Sequence, residues 1–316
     1  MHNVLLTGYT GFVGSHLLNK LDVGYKVSLL GRKQPENLDY DFYRGELNIK
    51  SDFGVALANI KTVIHCAARA HIMNNDSQDP LAEFREVNTY GALNLAKQAA
   101  SLGVKRFIFI SSIKVNGEST ENGTRFSSRD KYKPEDPYGI SKAEAEEGLL
   151  DIAKEAGMEI VIIRPTLVYG PGVKGNFLNL LKLSKLPIPL PFGLVNNKRS
   201  MVYLDNLVDL IVTCIDHQNA ANRIFLVSDC DDLSLVRLLT LIRQAMNKSS
   251  LLLPIPVFLF NLMGRLTGKA AVVDRLVGNL QVDSSDAKKY LDWSAPYTVE
   301  QGIKATVDDF LNKLID

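Results

Sequence analysis

Eight residues near the N-terminus constrain this chain more than any others. Thr7-Gly8-Tyr9-Thr10-Gly11-Phe12-Val13-Gly14 separates an apolar run, Val4–Thr7, from a helical pattern over Gly14–Leu21. Each glycine has its own task. Gly8 permits a tight turn, Gly11 lets the backbone come close to a bound group, and Gly14 lets the helix pack hard on the strand. Free amides then face outward at the positive end of the helix, a setting that suits a pyrophosphate. Gly8, Thr10, Gly11, Phe12, Val13 and Gly14 are therefore candidate cofactor contacts. A glycine triplet alone is a weak signal, and a purely structural turn is the alternative. Its position between a strand pattern and a helix pattern supplies the context it needs.

The same alternation continues along the chain. Val4–Thr7, Val27–Leu30, Thr62–His65, Phe107–Ser111 and Ile160–Arg164 are apolar runs of strand length, and Leu81–Leu102 and Pro137–Ala156 are helical. Strand, helix, strand at this spacing predicts an α/β fold with a doubly wound parallel sheet of Rossmann type, covered on both faces. The helix over Pro137–Ala156 has clear ends: Asp136 can cap it, Pro137 suits its first position, and Gly157 suits the left-handed residue after its last turn. From about Leu167 the composition changes, and Tyr169-Gly-Pro-Gly and Leu186-Pro-Ile-Pro-Leu-Pro read as loops around a short helix. Strands near Met201–Tyr203 and Arg223–Val227 are expected to return to the first sheet, and helices near Ser234–Met246 and Val299–Leu314 to close the chain. The predicted division is a dinucleotide-binding unit over 1–167 plus the strands near 200–228. A smaller, mostly C-terminal substrate-binding unit takes 168–199 and 229–316.

Composition limits the partners. A formal net charge of +1 over 316 residues provides no global field for nucleic acid or an anionic membrane, so an anionic substrate must be held by local cations. Cys66, Cys214 and Cys230 show no ligand spacing, which argues against a disulfide framework or a metal site and fits a reducing, cytoplasmic setting. Met1 leads directly into the first strand pattern, and no signal peptide is expected. Leu251–Leu266 is strongly apolar but too short for a span of about 20 residues, and Pro254 and Pro256 interrupt it. It reads first as a core or lid segment and second as a membrane-surface helix.

Two further places carry chemistry. After the second strand pattern stands Leu30-Gly31-Arg32-Lys33, with no carboxylate to receive the ribose hydroxyls of NAD. Arg32 and Lys33 could pair with a 2′-phosphate, which permits NADP, although two solvated basic residues are the plainer reading. Glu46 and Leu47, a little further on, are weaker candidates for contact with an adenine. Then Tyr138 and Lys142 lie four apart at the start of the capped helix, on one face with Cβ atoms about 5–6 Å apart. A free tyrosine, with a pKa of about 10, is a poor base at neutral pH, and a nearby ammonium and an oxidised nicotinamide ring would both favour its phenolate. Such pairs also arise by chance. Ser111 and Ser112, ending a predicted strand at the rim where α/β ligands bind, raise the catalytic reading.

At these residues the chain resembles the extended short-chain dehydrogenase/reductases that act on nucleotide sugars. The likeness runs through TGYTGFVG, VIHCAA (Val63–Ala68), EVNTYGALNL (Glu86–Leu95), RFIFISSIKVNGE (Arg106–Glu118), PYGISK (Pro137–Lys142), RPTLVYGPG (Arg164–Gly172) and RSMVYLDNLVD (Arg199–Asp209). Within that family it is most similar to UDP-glucose and UDP-N-acetylglucosamine 4-epimerases. The resemblance implies that Ser112, Tyr138 and Lys142 are catalytic and that the cofactor is NAD or NADP. It also implies that Ala67, Ala68, Ser111 and Pro165 adjoin that cofactor, and that Asn88 positions the catalytic loop. Arg199 matches an arginine that contacts UDP, and Arg275 is either a second such contact or a surface residue paired with Asp274. Lys114, Thr166 and Asn116 lie near the implied sugar site, with Lys114 and Asn116 equally able only to hold their loop. Thr166 replaces an asparagine of the family pattern, and Gly31-Arg32 replaces its acidic residue. A homodimer is a further implication.

Three functions compete on this reading. The first is 4-epimerisation of a UDP-hexose or UDP-N-acetylhexosamine for surface polysaccharide precursors. The second is NADPH-dependent reduction of a UDP-4-keto-6-deoxy-HexNAc, which Arg32 favours. The third, a non-catalytic NADP-binding sensor, sits badly with an intact Ser–Tyr–Lys set. Dehydration is disfavoured because Ile113 and Lys114 stand where that reaction needs an acidic pair.

Overall fold

The architecture follows from which strands are buried on both faces. Val4, Leu5, Leu6 and Thr7 are wholly inaccessible, as are Val63, Ile64 and His65 and the run Phe107–Phe109, which is the signature of central strands in a parallel sheet. The structure, a computed structural model, describes residues 2–35, 40–70 and 79–314. In chain order its elements begin β1 (His2–Thr7), α1 (Phe12–Leu21), β2 (Tyr25–Gly31), β3 (Asp41–Arg44), α2 (Gly54–Leu57), β4 (Thr62–His65), α3 (Pro80–Arg85) and α4 (Ala92–Ser101). They continue through β5 (Arg106–Ile110), α5 (Pro137–Ala156), β6 (Glu159–Pro165), β7 (Leu167–Tyr169), α6 (Gly175–Lys185), β8 (Met201–Tyr203) and α7 (Leu204–Asp216). The chain ends with β9 (Arg223–Val227), α8 (Leu235–Ala245), α9 (Val257–Leu266), α10 (Ala270–Val277), α11 (Ser285–Leu291) and α12 (Val299–Asn312).

Seven strands form one parallel sheet in the order β3-β2-β1-β4-β5-β6-β9. One face packs on α1 and α7, with Leu17, Leu21, Leu207 and Ile211 against Leu6, Ile64 and Ile108. The other packs on α2, α4 and α5, with Leu95, Ala99 and Leu149 against Leu5, Val63 and Phe107. The predicted doubly wound sheet is therefore present.

Two expectations need correction. Met201–Tyr203 does not return to this sheet: β8 pairs with β7 in a separate two-stranded sheet, Leu167 opposite Met201 and Tyr169 opposite Tyr203. The edge beside β6 is already filled by β9, with Ile163 opposite Phe225, so only Arg223–Val227 joins as expected. Nor is Leu81–Leu102 one uninterrupted helix, because Glu86–Gly91 opens into a π-helical turn between α3 and α4. Such widening is rare and concentrates at functional places. Here Asn88 must turn its side chain towards Arg69 and Ser141. Gly91 must also lie so close to Leu47 that a Cβ would sit 2.6 Å from its carbonyl carbon.

Beyond β7 the chain builds satellite cores. Tyr169, Phe177, Met201, Tyr203, Ile242 and Val307 form one, bringing α6, α8 and α12 together. A smaller one holds Leu190, Phe192, Val195, Leu235 and Leu239, and α9 rests on it through Val257 and Phe260. The expected core or lid role of Leu251–Leu266 holds for that stripe alone: Phe258, Leu262, Met263 and Leu266 remain exposed. Among the described residues no helix is long and apolar enough to cross a membrane.

Candidate active site

The glycine loop turns immediately after β1. Gly8 sits at φ +73°, and a Cβ there would lie 2.5 Å from the Ala67 amide nitrogen; one on Gly14 would lie 2.1 Å from the Gly8 carbonyl oxygen. No larger residue fits either place without moving backbone. α1 begins from Gly11 with no side chain capping its N-terminus, so its first amides are left for another acceptor. Thr10 and Gly11 are exposed, and Phe12 and Val13 partly so. This cradle fits a dinucleotide pyrophosphate. Tyr9, not singled out from sequence, packs against Gly31 and Phe42 and donates its hydroxyl to the Lys33 carbonyl, seating the loop after β2. Arg32 and Lys33 are exposed there. Glu46 is also exposed, and Leu47 lies against the π turn.

Ala67 and Ala68 follow β4 on the same rim, where the Ala67 amide donates to Thr7 Oγ1 at 3.3 Å. Asn88, wholly buried, accepts from the Arg69 amide at 2.8 Å and donates to the Arg69 carbonyl and to Ser141 Oγ, both at 3.0 Å. It thus joins the segment after β4 to the first turns of α5.

α5 starts and stops where its sequence indicates. Asp136 accepts from the Gly139 amide at 2.7 Å, Pro137 opens the helix, and Gly157 ends it at φ +70°. Tyr138 and Lys142 occupy its first two turns. Lys142 Nζ, buried, donates to the Ile110 carbonyl at 2.8 Å and lies 4.2 Å from the centre of the Phe109 ring. That ties the lysine to the end of β5, two residues before Ser112. Burial lowers the Lys142 ammonium to about 8, against the charges of Cys66 and Glu146. Burial, reinforced by the Asp136 charge, pushes the Tyr138 phenol up to about 12. Only burial and the Asp136 charge act on the phenol here, and both run opposite to the lowering expected from an ammonium and an oxidised nicotinamide ring. Ser112 caps a short 3₁₀ turn, accepting from the Lys114 amide at 3.3 Å.

Below this surface lies a buried ionic network that the sequence reading did not foresee. Arg164 and Glu146, with side chains 1% and 0% exposed, form a multiply bonded pair, and Arg164 also donates to Asn116 Oδ1 at 2.9 Å. Ser111 and Tyr132 both donate to the Glu146 carboxylate. Ser111 therefore directs its hydroxyl into this network, and Asn116, which also donates to the Ser127 carbonyl, holds its loop. The available signal was Glu146, one helical turn beyond Lys142 on the same face. Pro165 is buried at the end of β6, and Thr166 donates its hydroxyl to the Val227 carbonyl at 3.1 Å.

A second ionic group stands at the rim. Lys114 pairs with Asp136 and, at 2.8 Å, with Glu118, and Glu118 also accepts from Arg275 Nε at 3.2 Å. Arg275 is half-exposed on α10, and its partner is Glu118 rather than Asp274. Arg199 bonds the Gly278 carbonyl at 3.2 Å, and its guanidinium is weakened by burial, with Glu118 opposing and Arg275 adding to that effect. Three cations, Lys114, Arg199 and Arg275, thus converge around one carboxylate. Burial alone would raise Asp136, but bonds from Lys114 and the Gly139 amide hold it below the usual carboxylate range.

The family model of the NAD dependent epimerase/dehydratase family matches residues 4–228. A Vibrio cholerae protein named UDP-glucose 4-epimerase is 51% identical over 98% of this chain and 95% of its own length. An Escherichia coli O157:H7 protein named N-acetyl-alpha-D-glucosaminyl-diphospho-ditrans,octacis-undecaprenol 4-epimerase is 30% identical over 96% of this chain and 94% of its own. The solved structure of a UDP-glucose 4-epimerase from Thermotoga maritima with UDP-glucose superposes with a TM-score of 0.78 at 26% identity, covering 99% of both chains. With the glycine cradle, the Tyr138–Lys142 face and the cationic rim in one chain, this protein is a member of the NAD dependent epimerase/dehydratase family.

Proposed function

We propose that this protein is a UDP-sugar 4-epimerase, acting on a UDP-hexose or UDP-N-acetylhexosamine in the cytoplasm. The reading is supported by Lys142, which reaches the carbonyl of Ile110 two residues before Ser112 from the same helix that carries Tyr138 one turn earlier, beside the cations of the rim. The identity and coverage of the Vibrio cholerae relative support the same reaction. Gly8, Thr10, Gly11, Phe12, Val13 and Gly14 hold the pyrophosphate of NAD or NADP, and Ala67, Ala68 and Pro165 line its path. When bound, the dinucleotide supplies the hydride acceptor and donor. Tyr138 accepts the proton of the sugar C4 hydroxyl and returns it to the same oxygen after the face changes. Lys142 stabilises the phenolate, and Ser112 donates a hydrogen bond to that oxygen. Arg199 and Arg275 bind the diphosphate, where guanidinium groups suit paired phosphates. The unit over 1–167 serves the dinucleotide and the later segments serve the sugar nucleotide, in a homodimer.

Purified protein offered UDP-glucose or UDP-GlcNAc without added cofactor should form the galacto epimer and release a dinucleotide on denaturation. Tyr138→Phe should lower turnover by about 10²–10⁴-fold while dinucleotide binding persists; retained turnover would sink the mechanism. Exposed Arg32, following Gly31 without a carboxylate, keeps open a second reading as an NADPH-dependent 4-keto reductase, which the relatives do not favour. Consumption of NADPH with a 4-keto-6-deoxy UDP-sugar, and no epimer from UDP-glucose or UDP-GlcNAc, would select it.

A further inference from the structure

A surface helix ordinarily turns its apolar stripe inward and a polar face outward. α9 departs from that rule. At about 100° per residue, Val257, Phe260 and Gly264 share one arc, and that arc faces the protein. Phe260 stacks on Phe192 at 5.3 Å between ring centres, and Val273 lies against Gly264. Phe258, Leu259, Leu262, Met263 and Leu266 occupy a different arc, and they are 65%, 37%, 51%, 63% and 77% exposed. Only Asn261 and Arg265 interrupt the apolar circumference on the remaining edge. The neighbouring loops extend the patch. Leu190 pairs with Leu252, and Ile188 and Leu251 near that bridge are also more than half exposed.

The charges around this patch are segregated. Residues 170–204 and 233–273 carry five Lys or Arg each and not one Asp or Glu, in a chain whose net charge is only +1. Some of these cations are engaged inside the fold, such as Arg243 with the Leu186 and Ile188 carbonyls. Lys182 and Lys185 on α6, and Arg265 and Lys269 around the end of α9, are exposed. An exposed apolar face of this size marks an interaction site, and its mainly cationic surroundings, with exposed Asp274 on the adjoining α10 as the nearest acid along the chain, select an anionic, apolar partner. A second copy of the chain fits poorly, since a two-fold contact would set the same cationic patch against itself.

We propose that α9 and the adjoining loops are a membrane-docking face that rests on the headgroup region of an anionic bilayer. Phe258, Leu262, Met263 and Leu266 enter the boundary with the acyl chains, and Lys182, Lys185, Arg265 and Lys269 lie against anionic headgroups. The helix lies in the surface and does not span it, consistent with its 10 residues. The docking face is one helix away from the rim of the active site, because α10 packs on α9 through Val273 and carries Arg275.

The full-length protein should co-sediment with vesicles of phosphatidylcholine containing phosphatidylglycerol, and much less with phosphatidylcholine alone, and the binding should weaken as salt rises. Leu262→Asn with Leu266→Asn should abolish sedimentation, and epimerase activity towards soluble substrate should remain unchanged as the control for folding. Lys182→Gln with Lys185→Gln should weaken vesicle binding about 30-fold, the conversion of about 1 kcal/mol per cation. Absence of vesicle binding, or binding unchanged in both variants, would overturn the proposal. So would a concentration-dependent self-association in ultracentrifugation that is lost in the leucine variant while no vesicle binding occurs.

Discussion

Two ionic clusters flank the candidate active site, and they differ in almost every physical respect. Glu146 and Arg164 are inaccessible, and Ser111, Tyr132 and Asn116 satisfy the remaining polar atoms of the pair. Glu118 and Arg275 stand at the rim, with side chains 18% and 47% exposed, and Glu118 is shared with Lys114. In the first cluster neither charge has water to fall back on, so it can only hold together α5, β6 and the loops after β5. In the second, the cations Lys114 and Arg275 reach water and can exchange the ion pair for water or for a ligand at smaller cost, while Glu118 keeps one oxygen buried. The comparison teaches which charges are scaffold and which are available for binding.

Breaking the buried cluster should have the largest effect. Glu146→Gln leaves the Arg164 guanidinium buried without its counter-charge and should cost about 3–5 kcal/mol in urea unfolding. The double change Glu146→Leu with Arg164→Met should recover much of that loss. If Glu146→Gln alone is neutral, the scaffold role is wrong.

Lys142 extends the comparison to pH. Its ammonium is lowered to about 8 in the fold from an ordinary 10.5. Between those values the folded chain binds fewer protons than the unfolded chain at this site. Stability must therefore rise with pH through that window, by up to about 1.4 kcal/mol per pH unit, and no such gain is expected from this group below pH 8. Lys142→Met in dinucleotide-free protein should remove that slope from the pH dependence of unfolding.

The rim should respond least in stability and most in binding. Glu118→Gln should change unfolding free energy by less than about 1 kcal/mol yet lower the KM for a UDP-sugar at low salt, because Arg275 and Lys114 lose their internal competitor. Arg275→Ala should raise that KM roughly tenfold, the scale of one charged hydrogen bond of about 1.5 kcal/mol. Equal effects of both rim changes on stability and KM would erase the distinction drawn between the clusters.

The glycine cradle and α5 were legible because their determinants are local. Gly8 and Gly14 answer to atoms within the same strand–turn–helix unit or directly beside it, and Asp136, Pro137 and Gly157 act on their own helix. The misplacement of Met201–Tyr203 has the opposite cause. A strand of three residues carries no preference for one edge over another, and pairing with β7 was decided by what already occupied the edge of β6. The π turn at Glu86–Gly91 is not legible in the sequence for a similar reason, since its hydrogen bonds span only one residue more than those of an ordinary helix. What forces it is Asn88 reaching Arg69 and Ser141, two segments far along the chain.

By itself the sequence determined the α/β alternation, the dinucleotide-type turn and the placing of Tyr138 and Lys142 one turn apart on a helix, because glycine sterics, apolar periodicity and helix spacing act over a few residues. Only the tertiary structure decided that Ser111 and Thr166 turn their hydroxyls to Glu146 and Val227, and that Arg275 answers to Glu118. It alone also set the outward apolar arc of α9. Each of those outcomes depends on partners distant in the chain, and burial then sets whether a charge is locked in place or left free to bind.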